Sequence, residues 1–231
     1  ASSDARAIRA SANSTIQIGS DGTEKVTITA KGGTTRAVDN NASKKEAEVT
    51  INGGSIGIIS ESNGSSGTSY GIYTGAKGTT NIGTENTKNI SVVTQADGNK
   101  VEGISTAYDS KMGSGVANIK GDSLSLSAIS NKSRATGISS SGKLDINVDE
   151  MSMQVSGHTG AIGVEFNSKA GEASVVAKKQ LVLDVNGNDK TGVALQGANG
   201  KASLTADILN VSVKGKTAEV INAQTNSSIE L

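Results

Sequence analysis

Short stretches in which apolar and polar residues alternate recur along the whole chain. They read STIQI (14–18), KVTIT (25–29), EAEVTI (46–51), SIGII (55–59), TTNIG (79–83), NISVV (89–93), GVANI (115–119) and SLSLS (123–127). KLDINV (143–148), MSMQV (151–155), EASVVA (172–177), LVLDV (181–185), KASLTA (201–206) and ILNVSV (208–213) continue the series. A period of two with Ile, Val, Leu and Thr is the pattern of a strand that buries one face. An amphipathic helix fits poorly, because β-branched residues and Gly occur throughout.

A second signal sits between these pairs. A small residue followed by Ile or Val recurs as Ala7-Ile8, Ala37-Val38, Gly71-Ile72, Gly103-Ile104, Gly137-Ile138, Gly163-Val164 and Gly192-Val193, with a degenerate copy at Glu219-Val220. The apolar members lie 26 to 34 residues apart, an elastic period within the solenoid range. Each period holds the anchor strand and two further strands. The arithmetic predicts an all-β, right-handed parallel β-helix with three strands per coil and seven to eight coils. It forms one segment over 1–231, with coils beginning near 5, 35, 69, 101, 135, 161, 190 and 217. A sandwich of antiparallel hairpins would also show regular strand spacing, but the same three-segment order recurs in phase.

Composition agrees with stacked coils. The chain has 29 Gly among 231 residues and no Pro, Cys or Trp, with three Tyr and one Phe. Average usage is about 7% Gly and 5% Pro. In a ladder every interior strand needs its N–H donors, which disfavours Pro, and stacked aliphatic rows fill a narrow core better than rings. Corners at Gly32-Gly33, Asn52-Gly53-Gly54, Asp97-Gly98-Asn99 and Asn186-Gly187-Asn188 are expected to use positive φ. Strand parity places Tyr70 inward, Tyr73 outward and Phe166 in the core. The connections from third to first strands vary most, at Glu61–Ser69, Ala96–Lys100 and Asn131–Ala135, and such insertions either emerge on a binding face or drift neutrally.

Lys+Arg and Asp+Glu balance at 22 each, so no basic surface for nucleic acid is implied. No apolar run approaches the roughly 18 residues of a membrane-spanning helix. The N-terminal ASSDARAIRA has no apolar leader segment, and the chain reads as a piece of a longer protein. Without Cys, disulfide frameworks, Cys-ligated zinc and cysteine nucleophiles are excluded.

Candidate chemistry is thin. His158, the single histidine, lies in the corner SGHTG, and no nucleophile-elbow pattern surrounds any Ser. Asp184, Asn186, Asn188 and Asp189 offer oxygen ligands for Ca²⁺, yet neither an EF-hand loop nor a GGxGxD repeat is present, which favours a solvated Asn/Gly turn. Asp145, Asp149 and Glu150 are the nearest thing to paired glycosidase carboxylates, although nothing separates them from solubilising charges. The expectation is therefore no enzyme, no catalytic residue, no metal and no cofactor. Tyr73 and Tyr108, one coil apart beside the longer loops, are candidate interface anchors. Asn63, Ser65, Asp97 and Asn99 on those loops complete the candidate interaction surface.

The Gly-Ile anchors (Gly71-Ile72, Gly103-Ile104, Gly137-Ile138), the Ser/Thr/Asn-rich strands, the Asn-Gly corners and the lack of Cys make the chain resemble the passenger domain of monomeric autotransporters of Gram-negative bacteria. The resemblance is one of repeat style over essentially all of the chain. It implies an adhesin or stalk exported across the outer membrane to the cell surface, or secreted. Such a passenger is attached to the outer membrane only through a C-terminal β-barrel, which is not in this sequence. The implied partners are host-cell or bacterial surface molecules, including other passengers through self-association in aggregates and biofilm. A glycan-binding or glycan-processing β-helix module and a purely structural spacer are the competing readings.

Overall fold

The computed structural model describes residues 4–188, 190–224 and 227–231, without the side chains of 168–171 and 198. Its strands wind into a parallel β-solenoid. The first coil comprises Asp4–Ala10, Ser14–Ile18 and Lys25–Gly32; the second Thr34–Asn40, Ala47–Ile51 and Ser55–Ser62; the third Thr68–Thr74, Gly78–Ile82 and Asn89–Ala96. In the fourth and fifth coils the second and third strands merge, giving Lys100–Thr106 with Val116–Ser130 and Ala135–Ser140 with Lys143–Gly157. Ala161–Asn186 and Thr191–Lys214 each make a whole coil, and Thr217–Ala223 with Ser227–Glu230 begins an eighth. Each strand pairs in parallel with its counterpart one coil away. The backbone is thereby satisfied along the axis, at the usual strand spacing of about 4.8 Å per coil.

Three continuous aliphatic ladders fill the interior. The third strands stack Val26, Ile56, Ile90, Leu124, Met151, Leu181 and Leu209. The second strands stack Ile18, Ile51, Ile82, Ile119, Ile146, Val175 and Leu204. On the first strands the ladder runs Ile8, Val38, Ile72, Ile104, Ile138 and Val164. It then continues through Leu195 and Ile221. The expected anchors Val193 and Val220 are thus displaced by two residues and by one. Val193 stands over the outward Ile162, and the pair that repeats Gly163-Val164 is Ala194-Leu195. Small-plus-aliphatic dipeptides occur twice within four residues there, Gly192-Val193 and Ala194-Leu195, and only the register separates them.

The corners also depart from the sequence reading. Positive φ occurs at Gly19 (71°) and Gly83 (76°), which occupy the same corner in the first and third coils. Of the Gly and Asn corners named above, Asn188 alone has it, at 50°. Gly67, Gly113, Gly160 and Gly200 also have positive φ, and other Gly residues serve close approach. A Cβ on Gly98 would meet the Gly64 carbonyl at 2.7 Å.

The largest interruption of the coil is not at a third-to-first connection. Between the first and second strands of the fourth coil, Tyr108–Asp109 pairs antiparallel with Gly113–Ser114 as a small hairpin. Asp109 Oδ1 closes its turn by accepting from the backbone N–H groups of Lys111 (2.8 Å) and Met112 (3.1 Å).

Candidate interaction surface

The small-plus-aliphatic anchor shapes the outside of the first-strand face. Gly71 and Ile72 both point inward, and the ladder skips from Tyr70–Glu102 to Ile72–Ile104. Two consecutive inward residues reverse the parity beyond them, as a bulge does. Gly is required because a Cβ on Gly71 would meet Thr94 Oγ1 at 2.5 Å and Val92 Cγ1 at 2.7 Å. Tyr70 therefore faces outward, not inward as simple alternation predicts. It shares the outer surface with Tyr73, their ring centroids 5.0 Å apart and tilted by 60°.

Arg36, in register with Tyr70 on the neighbouring coil, lies over both rings, 5.1 Å from Tyr70 and 4.9 Å from Tyr73. A guanidinium over a tyrosine face is attracted by the ring quadrupole. Arg36 also donates from Nη1 to Asp39 Oδ1 at 3.0 Å. Asp39 is outward in register but has no exposed surface. Its Oδ2 lies 2.8 Å from Arg6 Nε, an ion pair without a well-aligned hydrogen bond. On the next coil Lys100 Nζ donates to the buried Glu102 at 2.9 Å. Burial pushes the Tyr70 phenol up to about 12, helped by the Glu102 carboxylate and opposed by Arg36. Tyr73 is raised for the same leading reason.

Other parts of the surface are concave. A cleft of about 650 Å³ runs along the first-to-second corners of the early coils, lined by Asn13, Glu46, Glu48 and Lys77, with Met112 and Ser114 of the hairpin at one end. Another of about 420 Å³ lies at the ends of the third strands, between Lys31, Glu61, Asn63, Gln95 and Asp97. At the second-to-third corners, carboxylates and lysines alternate between coils: Lys120 reaches Glu85 at 2.7 Å, Lys88 reaches Asp122 at 2.9 Å, and Lys178 and Lys179 both reach Asp149 at 3.1 Å.

The candidate residues separate accordingly. Tyr73 joins the Arg36–Tyr70 cluster. Tyr108 is exposed but stands on the hairpin; Ser105 takes the position over Tyr73, so the two tyrosines do not form one site. Asn63 and Asp97 line one cleft, and Asp97 accepts from Asn131 Nδ2 at 3.0 Å. Ser65 is exposed. Asn99 offers no surface at all: it is buried, donating to the Gly33 carbonyl and to Ser62 Oγ, each at 2.8 Å. His158 is exposed in its corner. Asp149 is engaged by lysines rather than paired with Glu150. Asp189 of the Ca²⁺ candidate lies outside the described residues, and among the described residues no group of three or more His, Asp and Glu is placed to hold a metal.

Sequence reading missed Arg36, Asp39 and Tyr70. A signal existed, because Arg36 and Asp39 stand either side of Ala37-Val38 as Tyr70 and Tyr73 stand either side of Gly71-Ile72. Comparison with protein-family models, curated proteins and solved structures finds no match.

Proposed function

We propose that this solenoid is a segment of a bacterial cell-surface adhesin or stalk that acts through its sides, mediating attachment or self-association. The observation that carries the reading is the registered outer column of the first-strand face. Arg6, Arg36, Tyr70, Glu102 and Thr136 succeed one another coil by coil, with Arg9, Asp39, Tyr73, Ser105 and Ser139 beside them; Arg6, Arg9, Arg36, Tyr70 and Tyr73 reach the surface, and the other five are buried. Side chains repeated at about 4.8 Å along a rod can sum weak contacts with a partner that is itself extended, by avidity. The parallel ladder supplies the rigidity that such a rod needs. Export across an outer membrane rests on the repeat style of the sequence.

A glycan-binding module is the second reading, favoured by the outward Arg36–Tyr70–Tyr73 cluster. The test is to display the chain on a non-aggregating bacterium and measure aggregation and host-cell binding. The proposal expects one or both above an empty-vector control; neither would overturn it.

A further inference from the structure

We infer that Arg6, Arg9, Arg36, Tyr70 and Tyr73 form a preorganised site for an acidic saccharide, one that presents a carboxylate on a sugar ring. The inference rests on the reading of the rod's side as a binding surface and names the chemistry of its partner.

The fold does not require this cluster. Stacking needs only a tolerable outward residue at these positions, and the coils beyond place Ser105, Ser139, Glu165 and Gln196 where Asp39 stands, with Glu165 paired to a single arginine, Arg134. Here, instead, Arg6 is directly in register with Arg36. Like charges opposite each other on adjacent strands are destabilising. Asp39, wholly buried beneath the two arginines, offsets that repulsion but loses its own hydration, and a buried ion network rarely repays that loss in stability. What the network does provide is position. The carboxylate holds Arg6 Nε at 2.8 Å and Arg36 Nη1 at 3.0 Å, while their side chains keep 29% and 25% of their surface exposed; Arg6 Nη2 also lies 3.4 Å from the exposed Asp4, which an incoming carboxylate displaces.

The neighbouring groups extend the site to both sides. Arg9, exposed and in register with Asp39, adds a third guanidinium at the edge. On the other side stand Tyr70 and Tyr73, two of only four aromatic residues in the chain. Guanidinium forks match carboxylates bidentately, and a phenol ring offers an apolar face with a polar tip. A pyranose has the complementary form, with C–H groups on its faces and hydroxyls at its rim. A carboxylated sugar thus meets the arginines with its acid group and the tyrosines with its ring. An acidic polypeptide would use the arginines but has no such need of both phenols. Fixing the arginines beforehand lowers the ordering cost of binding.

The test is calorimetric titration of the full chain with short galacturonate oligomers, neutral galactose oligomers of equal length, and poly-glutamate. The galacturonate oligomer is expected to bind, more weakly as salt is raised, and the neutral oligomer to give no binding. Arg36→Gln combined with Asp39→Asn removes the buried carboxylate together with one of its arginine partners, and Tyr73→Leu keeps bulk without the ring. Each should weaken binding by about tenfold or more, with the β-sheet circular dichroism unchanged. Arg9→Gln leaves the buried network intact and should weaken binding by a smaller factor, so it decides the matter if the other variants do not fold. Absence of galacturonate binding, equal binding of the neutral oligomer, or equal binding of poly-glutamate with no effect of Tyr73→Leu would each overturn the inference. Aggregation of displaying cells without galacturonate binding would remove this site while leaving the adhesin reading intact.

Discussion

The ring of Phe166 occupies the space that a side chain on Gly197 would need. The two residues are in register on adjacent coils, and a Cβ on Gly197 would meet Cε2 and Cζ of the ring at 2.6 Å. Phe166 is completely buried, in the interior row that holds Thr74, Thr106 and Ser140 in earlier coils. A solenoid core of this width takes one aromatic ring only where the next coil gives up its side chain.

Gly197→Ala should therefore destabilise the protein by about 1–3 kcal/mol, the usual cost of overpacking a core. Phe166→Leu made in the same chain should recover part of that loss, since the two sites are in contact and do not act additively. Urea unfolding of the two single variants and the double variant checks both statements.

Asn99 and Asn63 offer a paired comparison. Asn99→Ala removes the buried amide's donation to the Gly33 carbonyl and to Ser62 Oγ, both of which keep the Gly64 N–H as a donor, and should cost about 0.5–1.5 kcal/mol. Asn63→Ala, on an exposed side chain, should change stability by no more than about 0.5 kcal/mol. Thermal melting of both variants makes the measurement.

These two asparagines show where sequence reading stops. The period-two strands, the three-strand coil and the burial of Phe166 follow from residue pattern alone, because a strand's faces are fixed by alternation. The parity of Tyr70 does not, since Gly71 and Ile72 both turn inward, Gly71 against Thr94 and Val92, residues more than twenty positions away from it. Asn99 looks like any loop residue until the corners of three coils are stacked around it. The shift of the anchor from Val193 to Leu195 is likewise decided by the register with Val164, which no local pattern contains. Arg36 reads as a surface charge because the two tyrosines reach it only through the ladder, although Asp39 lies three residues away on the same strand.

Alkaline pH should weaken the fold through Tyr70. Its folded pKa, about 12 against an ordinary 10.0, is raised mainly by burial, so the folded state prefers the neutral phenol. That contribution is fully present below pH about 10 and is lost as pH rises from there through about 12. Tyr70→Phe removes the ionisation and should flatten the alkaline limb of the stability curve. Tyrosinate absorbance, followed as a difference between the two proteins, reports the same late titration.

Acid should act at the opposite corner. Hydrogen bonds from Lys179 and Lys178 hold the Asp149 carboxyl below its usual range. The stability it contributes is present above the ordinary carboxylate pKa and fades as pH falls through the lowered one. The same contact raises Lys179, whose contribution is present below the ordinary lysine pKa and fades as pH rises through the raised one. Because these side chains are solvent-accessible, Asp149→Asn should have only a small effect at neutral pH, reduced further by salt. Unfolding midpoints measured across pH for wild type and variant provide the check.

The central claim is that the rod acts through its side rather than merely through its length. Settling of bacteria that display the intact chain, a chain shortened by one whole coil, and a full-length chain carrying Arg9→Glu with Tyr73→Lys tests it most directly. The account predicts that the shortened chain still aggregates the cells and that the full-length variant does not. Aggregation that falls with each coil removed, and that is indifferent to the two surface substitutions, would contradict it.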